Sequence, residues 1–529
     1  MGRDKTMRFP FPNRPFPNRL SSHRRILFFS ALSVVTTQIL SACTMIPRYH
    51  RPHPPLAKTW PTYEKTDNIS TKTIASEIGW KDFFIDPRLR ALIAIAIREN
   101  RDLRTAAASI AEAQGQYDVQ HARLFPSISA TSRVMYMMPS KAAGLSFAPG
   151  LDMREHPTAF HFYQGGIGFS SYEIDLFGRI RSLTRQASEN AFSQVSNVRS
   201  LLISVISQVA IAYITWLGDK NLLTLATQSL ANQKENLRLI ENKFRNGEAN
   251  MLTVRQAETQ VEQSATLLSE ATRKVEQDKN LLTLLIGAPI PSHLPPPNPL
   301  GKQTLLADIP AGLPSDLLEN RPDIISAEHA LLAAQANIGA ARAAFFPRIT
   351  LTATNGLTSL AFHRLFTSAA TTWGFNPSLE IPLWTWGQNK GNLIASKAQR
   401  DSKIANYEKT VQTAFREVAD ALAARKAYLN EKRQVDTLTN SAAEAYRLAK
   451  LRFDAGTDSY LNTLEAQRYY LQAQQKQTQV SVAKYQNLVT IYRSLGGGWK
   501  EHTDTKKPTH LTTKENTYRI PLKSPPKSL

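Results

Sequence analysis

A single cysteine, Cys43, occurs in 529 residues, which excludes a disulfide framework within the chain. Acidic residues are also scarce, 43 against 64 lysines and arginines, leaving a formal charge of +21. No zinc-finger, RNA-recognition or basic-zipper pattern accompanies that excess, so it is assigned to phosphate-rich lipid surfaces or solvation before nucleic acid. Enzyme signatures are missing as well: there is no phosphate-binding glycine loop, no Gly-x-Ser-x-Gly and no His-Glu-x-x-His. The 11 histidines form no metal-ligand spacing. Gly496-Gly497-Gly498 follows a helical pattern with no strand before it, and reads as a helix end. The reading is therefore of a protein that is not an enzyme and holds no metal. Proline is absent from residues 178–245 and 387–454, an absence that permits very long helices.

What is present begins with the leader. Arg24 and Arg25 precede an apolar run over 26–40, followed by Leu40-Ser41-Ala42-Cys43; the order basic, apolar, small, cysteine is that of a secretory signal too short to span a bilayer. Leu-Ser-Ala-Cys resembles the lipobox of bacterial lipoproteins. That resemblance implies cleavage before Cys43 and conversion of Cys43 to an N-palmitoyl, S-diacylglycerol cysteine, the covalent lipid being the only cofactor expected. Thr44 follows, not the aspartate that commonly retains such proteins at the inner membrane.

The body of the chain repeats itself. Glu99-Asn100-Arg101 recurs as Glu319-Asn320-Arg321, and Phe125-Pro126 as Phe346-Pro347. Phe177/Trp386, Phe244/Phe453, Gly247/Gly456, Leu252/Leu461 and Gly287/Gly496 are each 209 apart, so the later part of each copy aligns without a gap. After each proline the period changes to two, with Ile349, Leu351 and Ala353 opposite in face to Thr350, Thr352 and Thr354, as strands require. Second strands are expected over 164–176 and 373–383, with a first-hairpin loop twelve residues longer than the second. Each copy reads helix, strand, strand, very long helix, turn, helix. At about 1.5 Å per residue the long helices would reach about 100 Å and need coiled-coil-like partners along their length. Polar residues Ser204, Ser207, Gln208 and Thr215 interrupt 201–217, which favours a core helix over a membrane span. The resulting organisation is signal peptide 1–42, extended segment 43–86, first repeat 87–287, proline-rich connector 288–316, second repeat 317–499 and basic tail 500–529.

Four strands cannot close a barrel, since about eight is the smallest practical number. An open edge in lipid leaves unpaired backbone groups, so closure requires several chains. Three copies give twelve strands and, through the internal repeat, a pseudo-sixfold ring. The expected fold is an α+β membrane protein: a trimeric 12-stranded β-barrel, four strands per chain, continuous with a long α-helical barrel and built from two internal repeats per chain.

Several segments carry a family likeness: Gly79-Trp80-Lys81-Asp82-Phe83-Phe84-Ile85-Asp86-Pro87, Glu173-Ile174-Asp175-Leu176-Phe177-Gly178-Arg179, Gly312-Leu313-Pro314-Ser315-Asp316-Leu317-Leu318, residues 340–347, and Ser494-Leu495-Gly496-Gly497-Gly498-Trp499. From Cys43 to Trp499 the chain resembles the TolC-family outer-membrane efflux channels, specifically their lipid-anchored OprM-type branch. The resemblance implies a homotrimer in the outer membrane with a periplasmic helical barrel, docked to a periplasmic adaptor protein and an inner-membrane transporter, commonly of the proton-driven RND class.

It also implies a gate. Leu461 and Glu465 match the positions that line the closed periplasmic entrance of OprM-type channels, where the acidic position is usually Asp. Their four-residue spacing puts both on one helix face. Three glutamates would form a cation-favouring ring and three leucines an apolar plug. Arg468 is a candidate tether of the closed state, with a simple pairing to Glu465 along the helix equally open. The function expected is a passive export duct for drugs or other small toxic compounds; alternatives are a duct for polypeptides or a signal molecule, and a periplasmic coiled-coil adaptor. The adaptor reading is disfavoured because adaptors usually carry one helical hairpin, not two hairpins with two strand pairs.

Overall fold

The computed structural model describes residues 44–52, 75–138, 160–300 and 319–503. Cys43, the long first-hairpin loop, the motif at 312–318 and the tail beyond Thr503 lie outside the described residues. In chain order the elements are α1 (Trp80–Phe83), α2 (Pro87–Glu99), α3 (Arg101–Ala122), β1 (Ser129–Met137), β2 (Phe160–Ile174), α4 (Arg179–Arg245), α5 (Met251–Ile286), α6 (Pro322–Ala343), β3 (Arg348–Ser359), β4 (Thr371–Glu380), α7 (Gln388–Asp454) and α8 (Tyr460–Ser494). Helices α4 and α7 each have 67 residues, and α5 and α8 have 36 and 35. Left-handed glycines stand at the same places in both copies: Gly178 and Gly387 before the long helices, Gly247 and Gly456 in the turns, Gly287 and Gly496 at the ends. A positive φ is nearly free for glycine and costly for other residues, so the repeat is punctuated by backbone chemistry.

Two details depart from the sequence reading. A helix, α2, precedes α3 and is broken at Asn100, whose φ of −61° and ψ of 132° are extended. The Asn100 side chain accepts from Leu103 N at 3.0 Å, capping α3, and donates to the Leu285 carbonyl at 2.7 Å. Strands β2 (Phe160–Ile174) and β4 (Thr371–Glu380) both start and end earlier than the expected 164–176 and 373–383.

The chain divides into two compact units that cut across the repeats. One comprises the N-terminal strip up to His50 together with Gln114–Asn190 and Leu331–Ser402; the other comprises Arg51–Ala113, Ala191–Ala330 and the chain from Lys403. The first holds one antiparallel sheet in the order β1-β2-β3-β4. A bulge between Phe169 and Tyr172 offsets β2 against β3, with Ser171 at φ 55° donating its N–H to Thr352 Oγ1 at 3.2 Å. Such a bulge tightens the local bend of the ladder.

The second unit has the apolar core. Ile206, Val209, Tyr213 and Ile214 of α4 are buried with Leu89 and Ile93 of α2, Val411 and Val418 of α7, and Val489 and Tyr492 of α8. One stretch of α4 is long and apolar enough to cross a membrane by length and composition, and 61% of it is buried; its core residues occupy that apolar centre. The N-terminal elements of this unit are built on residues 492–503. Phe83 stacks on Tyr492 with ring centroids 4.0 Å apart, and Tyr492 donates its hydroxyl to the Ile78 carbonyl at 2.6 Å. Trp80 N donates to the Lys500 carbonyl at 2.9 Å, and Thr503 donates through both N and Oγ1 to Asp82 at 2.7 Å. Those hydrogen bonds from Thr503 hold the Asp82 carboxyl below its ordinary range. A Cβ on Gly79 would come within 2.4 Å of the His502 backbone, so only glycine admits this seating.

Candidate functional site

The sheet has two chemically different faces. Following the pairing register, one face carries Val134 and Tyr136 of β1, Tyr163 and Ile167 of β2, Ile349 and Leu351 of β3, and Trp373, Phe375 and Leu379 of β4. Much of it is uncovered: Tyr136 is 69%, Ile167 61% and Trp373 77% exposed. The other face carries Thr131, Arg133, Gln164, Thr350, Thr352, Thr354, Asn376 and Ser378, with one apolar pair, Met135 and Phe162, near the end of β1. Gly168 and Gly356 also belong to it, and a Cβ on either would come within 2.3 Å of a carbonyl oxygen on the neighbouring strand. Close backbone approach on the polar side alone marks it as the face toward which the sheet curves. Apolar outward and polar inward is the pattern of a membrane barrel wall, the reverse of a water-soluble sheet.

Aromatic rings collect at both ends of the strands. At one end Tyr136 meets His161 edge-on at 4.6 Å and Tyr163 meets Phe362 at 5.5 Å. At the other, Phe177 stacks on Phe346 at 4.7 Å, and Trp384 and Trp386 lie 5.7 Å apart. Two such belts match the two membrane–water interfaces. Strands β1 and β4 are the edges of the sheet.

The N-terminal strip leads to the second of these belts. Met45 O accepts from Arg342 at 3.3 Å, Pro47 O accepts from Gln335 at 2.8 Å, and a Cβ on Gly339 would strike Ile46 at 2.6 Å. Chain number rises along the strip as it falls along α6, so the two run antiparallel. Thr44 is thereby brought to the end of α6 that precedes Phe346 and β3.

The hairpin turns lie in the second unit. Tyr460, Thr463 and Leu464 of α8 are buried; Tyr460 and Leu464 form with Ile240, Val254 and Ala257 a small core against which Leu237 and Phe453 pack. Asn236 donates to Tyr460 Oη at 2.9 Å, and Lys243 Nζ lies 4.5 Å from the centre of the Phe453 ring. Burial raises the Tyr460 hydroxyl above its ordinary pKa. The turn before α8 is held by Asp458, which accepts from Asn462 at 2.6 Å, from Ser459 N at 2.8 Å and from Arg452 at 3.1 Å. Those bonds keep its carboxyl below the usual range.

Leu461, Glu465 and Arg468 occupy the other face of α8. Leu461 is 50% exposed, and Glu465 and Arg468 are not buried. Glu465 and Arg468 do not pair with each other, and neither has an ion pair or hydrogen bond among the described residues. Arg468 instead borders a polar cavity of about 460 Å³ lined by glutamine-rich stretches of α4, α5 and α8, including Gln233, Gln260, Gln467 and Gln474. The 209-residue repeat places Leu252, 65% exposed, at the position of Leu461, and Gln256 at that of Glu465. No group of three or more metal-ligating side chains occurs among the described residues. Sequence reasoning missed the strip along α6 and the Asp458 cluster; the register that sorts the faces of β1 and β4 also needed the structure.

Comparison with known proteins agrees with this arrangement. The family model described as outer membrane efflux protein matches residues 92–288 and 313–497, once in each repeat. The antibiotic efflux pump outer membrane protein ArpC of Pseudomonas putida is 42% identical over 472 residues, covering 89% of this chain and 95% of the relative. The toluene efflux pump outer membrane protein TtgC, also of Pseudomonas putida, matches with the same identity and coverage. The open-state structure of the Neisseria gonorrhoeae MtrE outer membrane channel superposes with a TM-score of 0.79 at 36% identity, covering 88% of this chain and all of that one. A chain whose sheet is apolar outward, polar inward and open at both edges, and whose two halves each match that model, belongs to the outer membrane efflux protein family.

Proposed function

We propose that three copies of this chain form the outer-membrane duct of a tripartite efflux system, passing drugs or other small toxic compounds outward by diffusion. The observation that carries the reading is the four-stranded sheet, with its lipid-type outer face, aromatic belts and unpaired edges. A bilayer leaves no water to satisfy those edges, so β4 of one copy joins β1 of the next until twelve strands close. The duct performs no catalysis and needs no cofactor apart from lipid on Cys43. Its partners are a periplasmic adaptor and an RND-type inner-membrane transporter, which supply cargo and drive.

Cys43 is the lipidation site in this reading, supported by the strip along α6 that brings Thr44 to the level of an aromatic belt. Leu461 and Glu465 form the periplasmic gate: both face away from the packed side of α8, where three symmetry-related copies can meet at an axis. Arg468 borders the polar cavity without an ion pair or hydrogen bond among the described residues, so in this reading it tethers the closed state through a partner supplied by a neighbouring copy.

Two experiments test this reading. Deletion of the gene should raise susceptibility to several drugs while leaving protein secretion intact; the converse result in the same strain would assign the duct to polypeptides. Labelling with a radioactive fatty acid should disappear in Cys43→Ser, and persistence of label would remove the anchor from the account.

A further inference from the structure

The internal repeat supplies a template for the seam between copies, and this inference rests on the trimer proposed above. Within one chain Phe177, which follows β2, stacks on Phe346, which closes α6, at 4.7 Å and 23°. The repeat carries Phe177 onto Trp386, 209 residues on, and Phe346 back onto Phe125, 221 residues earlier. The backbone agrees: Phe125 N donates to Ala122 O and Phe346 N to Ala343 O, both at 3.0 Å. Gly178 and Gly387, each following its aromatic residue, share a positive φ. Both equivalents are uncovered, Trp386 at 89% and Phe125 at 62%. Trp386 also holds a φ of 49°, an unfavourable conformation for a bulky side chain that needs support from its surroundings.

We propose that Trp386 of one copy stacks on Phe125 of the next, repeating between chains the contact that Phe177 and Phe346 make within one. Strand order agrees: β2 pairs with β3 inside the chain, and the repeat converts that pair into β4 against β1 of the next copy. Tyr172 opposite Leu351 becomes Ile381 opposite Ala130. The new seam differs from its template in charge. Glu173 accepts from Arg179 at 2.6 Å and Arg348 at 3.0 Å beside the Phe177–Phe346 stack; Pro382, Gln388 and Ser127 stand at the equivalent positions. Leu383 and Trp384, 88% and 74% exposed, lie beside Trp386. The seam between copies is uncharged, and flanked by exposed apolar rings, where the one within the chain is ionic, as suits an obligate contact between chains.

Thiol crosslinking of the full-length protein in membranes tests this. The double variant Phe125→Cys/Trp386→Cys, treated with a short bis-methanethiosulfonate, should give covalent dimers and trimers on denaturing gels. Each single variant, which also controls for Cys43, should not. Ile381→Cys/Ala130→Cys should behave in the same way, while Phe177→Cys/Phe346→Cys should crosslink only within a chain. A detergent complex of three chains in which that internal control reacts but neither intermolecular pair does would overturn the seam and leave the trimer standing. A monodisperse monomer would overturn both. As an independent readout, Trp386→Ala should lower the temperature at which the trimer dissociates in dodecyl sulfate by several degrees, and Trp386→Phe should restore it. Equal temperatures for the parent and Trp386→Ala, or quenching of Trp386 by brominated lipid to the level of Trp373, would place the ring in lipid and refute the stack.

Discussion

The turn of the first hairpin and the turn of the second lie 209 residues apart with the same backbone, a left-handed glycine at 247 or 456 and a helix start at 251 or 460. Their side chains diverge. Met251 is 48% exposed, whereas its counterpart Tyr460 is 5% exposed and centres the small core between the hairpins. Asn250 caps α5 by accepting from Thr253 N at 2.9 Å; Ser459 makes no cap bond, and Asp458 organises that turn instead. Gln256 stands where Glu465 does. Higher along the hairpins the first copy has Asp219 facing Asp278, where the second has Tyr428 and Asn487. Duplication has kept the main chain and rewritten the chemistry, leaving α5 as a support and α8 as the helix that carries the packing and, in the proposed reading, the gate.

The sharpest way to break this comparison is at the gate. Replacing Leu461 and Glu465 together with Ala should raise the single-channel conductance of the closed duct several-fold and weaken its cation preference, measured in planar bilayers. The matched change, Leu252→Ala with Gln256→Ala, should leave both within about two-fold of the parent. Equal effects from the two pairs would remove the distinction between the hairpins.

Packing gives the next largest difference. Tyr460→Ala removes a buried ring and should cost about 3–5 kcal/mol locally, seen as faster amide exchange around the second turn. Met251→Ala should cost less than about 1 kcal/mol because the site is already open to water.

The pH effect between about 4 and 7 should centre on the first hairpin, since the depressed Asp458 carboxyl of the second acts only at lower pH. Burial and a side-chain hydrogen bond with Asp219 raise the Asp278 carboxyl to about 7, with Lys274 opposing, and its Oδ2 is buried without a donor. The folded state therefore holds a proton that an unfolded aspartate releases near pH 4. Local stability should fall as pH rises from about 4 to about 7 and level off above, by about 1 kcal/mol once solvent screening is included. Amide protection of α4 and α5 followed across that range should show the slope, and Asp278→Asn should flatten it. The smallest contrast is at the caps, where Asn250→Ala should destabilise the first turn by about 1 kcal/mol and Ser459→Ala should change almost nothing.

Much of the helical scaffold was legible because its punctuation is chemical. Uninterrupted stretches without proline, bounded by Gly178 and Gly387, fixed the long helices to within a residue. Alternation in β3 showed a strand with two faces, since aliphatic and threonine residues separate cleanly there. Strand β1 was readable only in part: Arg133 sits on the inner face among threonines, and its membership of that face follows from pairing with β2. The break at Asn100 carries no glycine or proline and depends on a hydrogen bond to Leu285, 185 residues away. Leu461 and Glu465 could be placed on one face from spacing alone. That this face is the unpacked one depends on Tyr460 and Leu464 turning toward α4 and α5, a tertiary choice that neither residue announces.

The seating of residues 500–503 on α1 bears on how the protein is made. Gly79 N donates to Thr503 Oγ1 across 424 positions of sequence, and Phe83 lacks its parallel ring partner until Tyr492 arrives. A chain delivered N-terminus first across the inner membrane must therefore hold Trp80, Phe83 and Phe84 without these partners until residues 492–503 have emerged. That interval is a window for periplasmic chaperones, and a product cut short before Trp499 would remain marked by exposed aromatic surface for proteolysis.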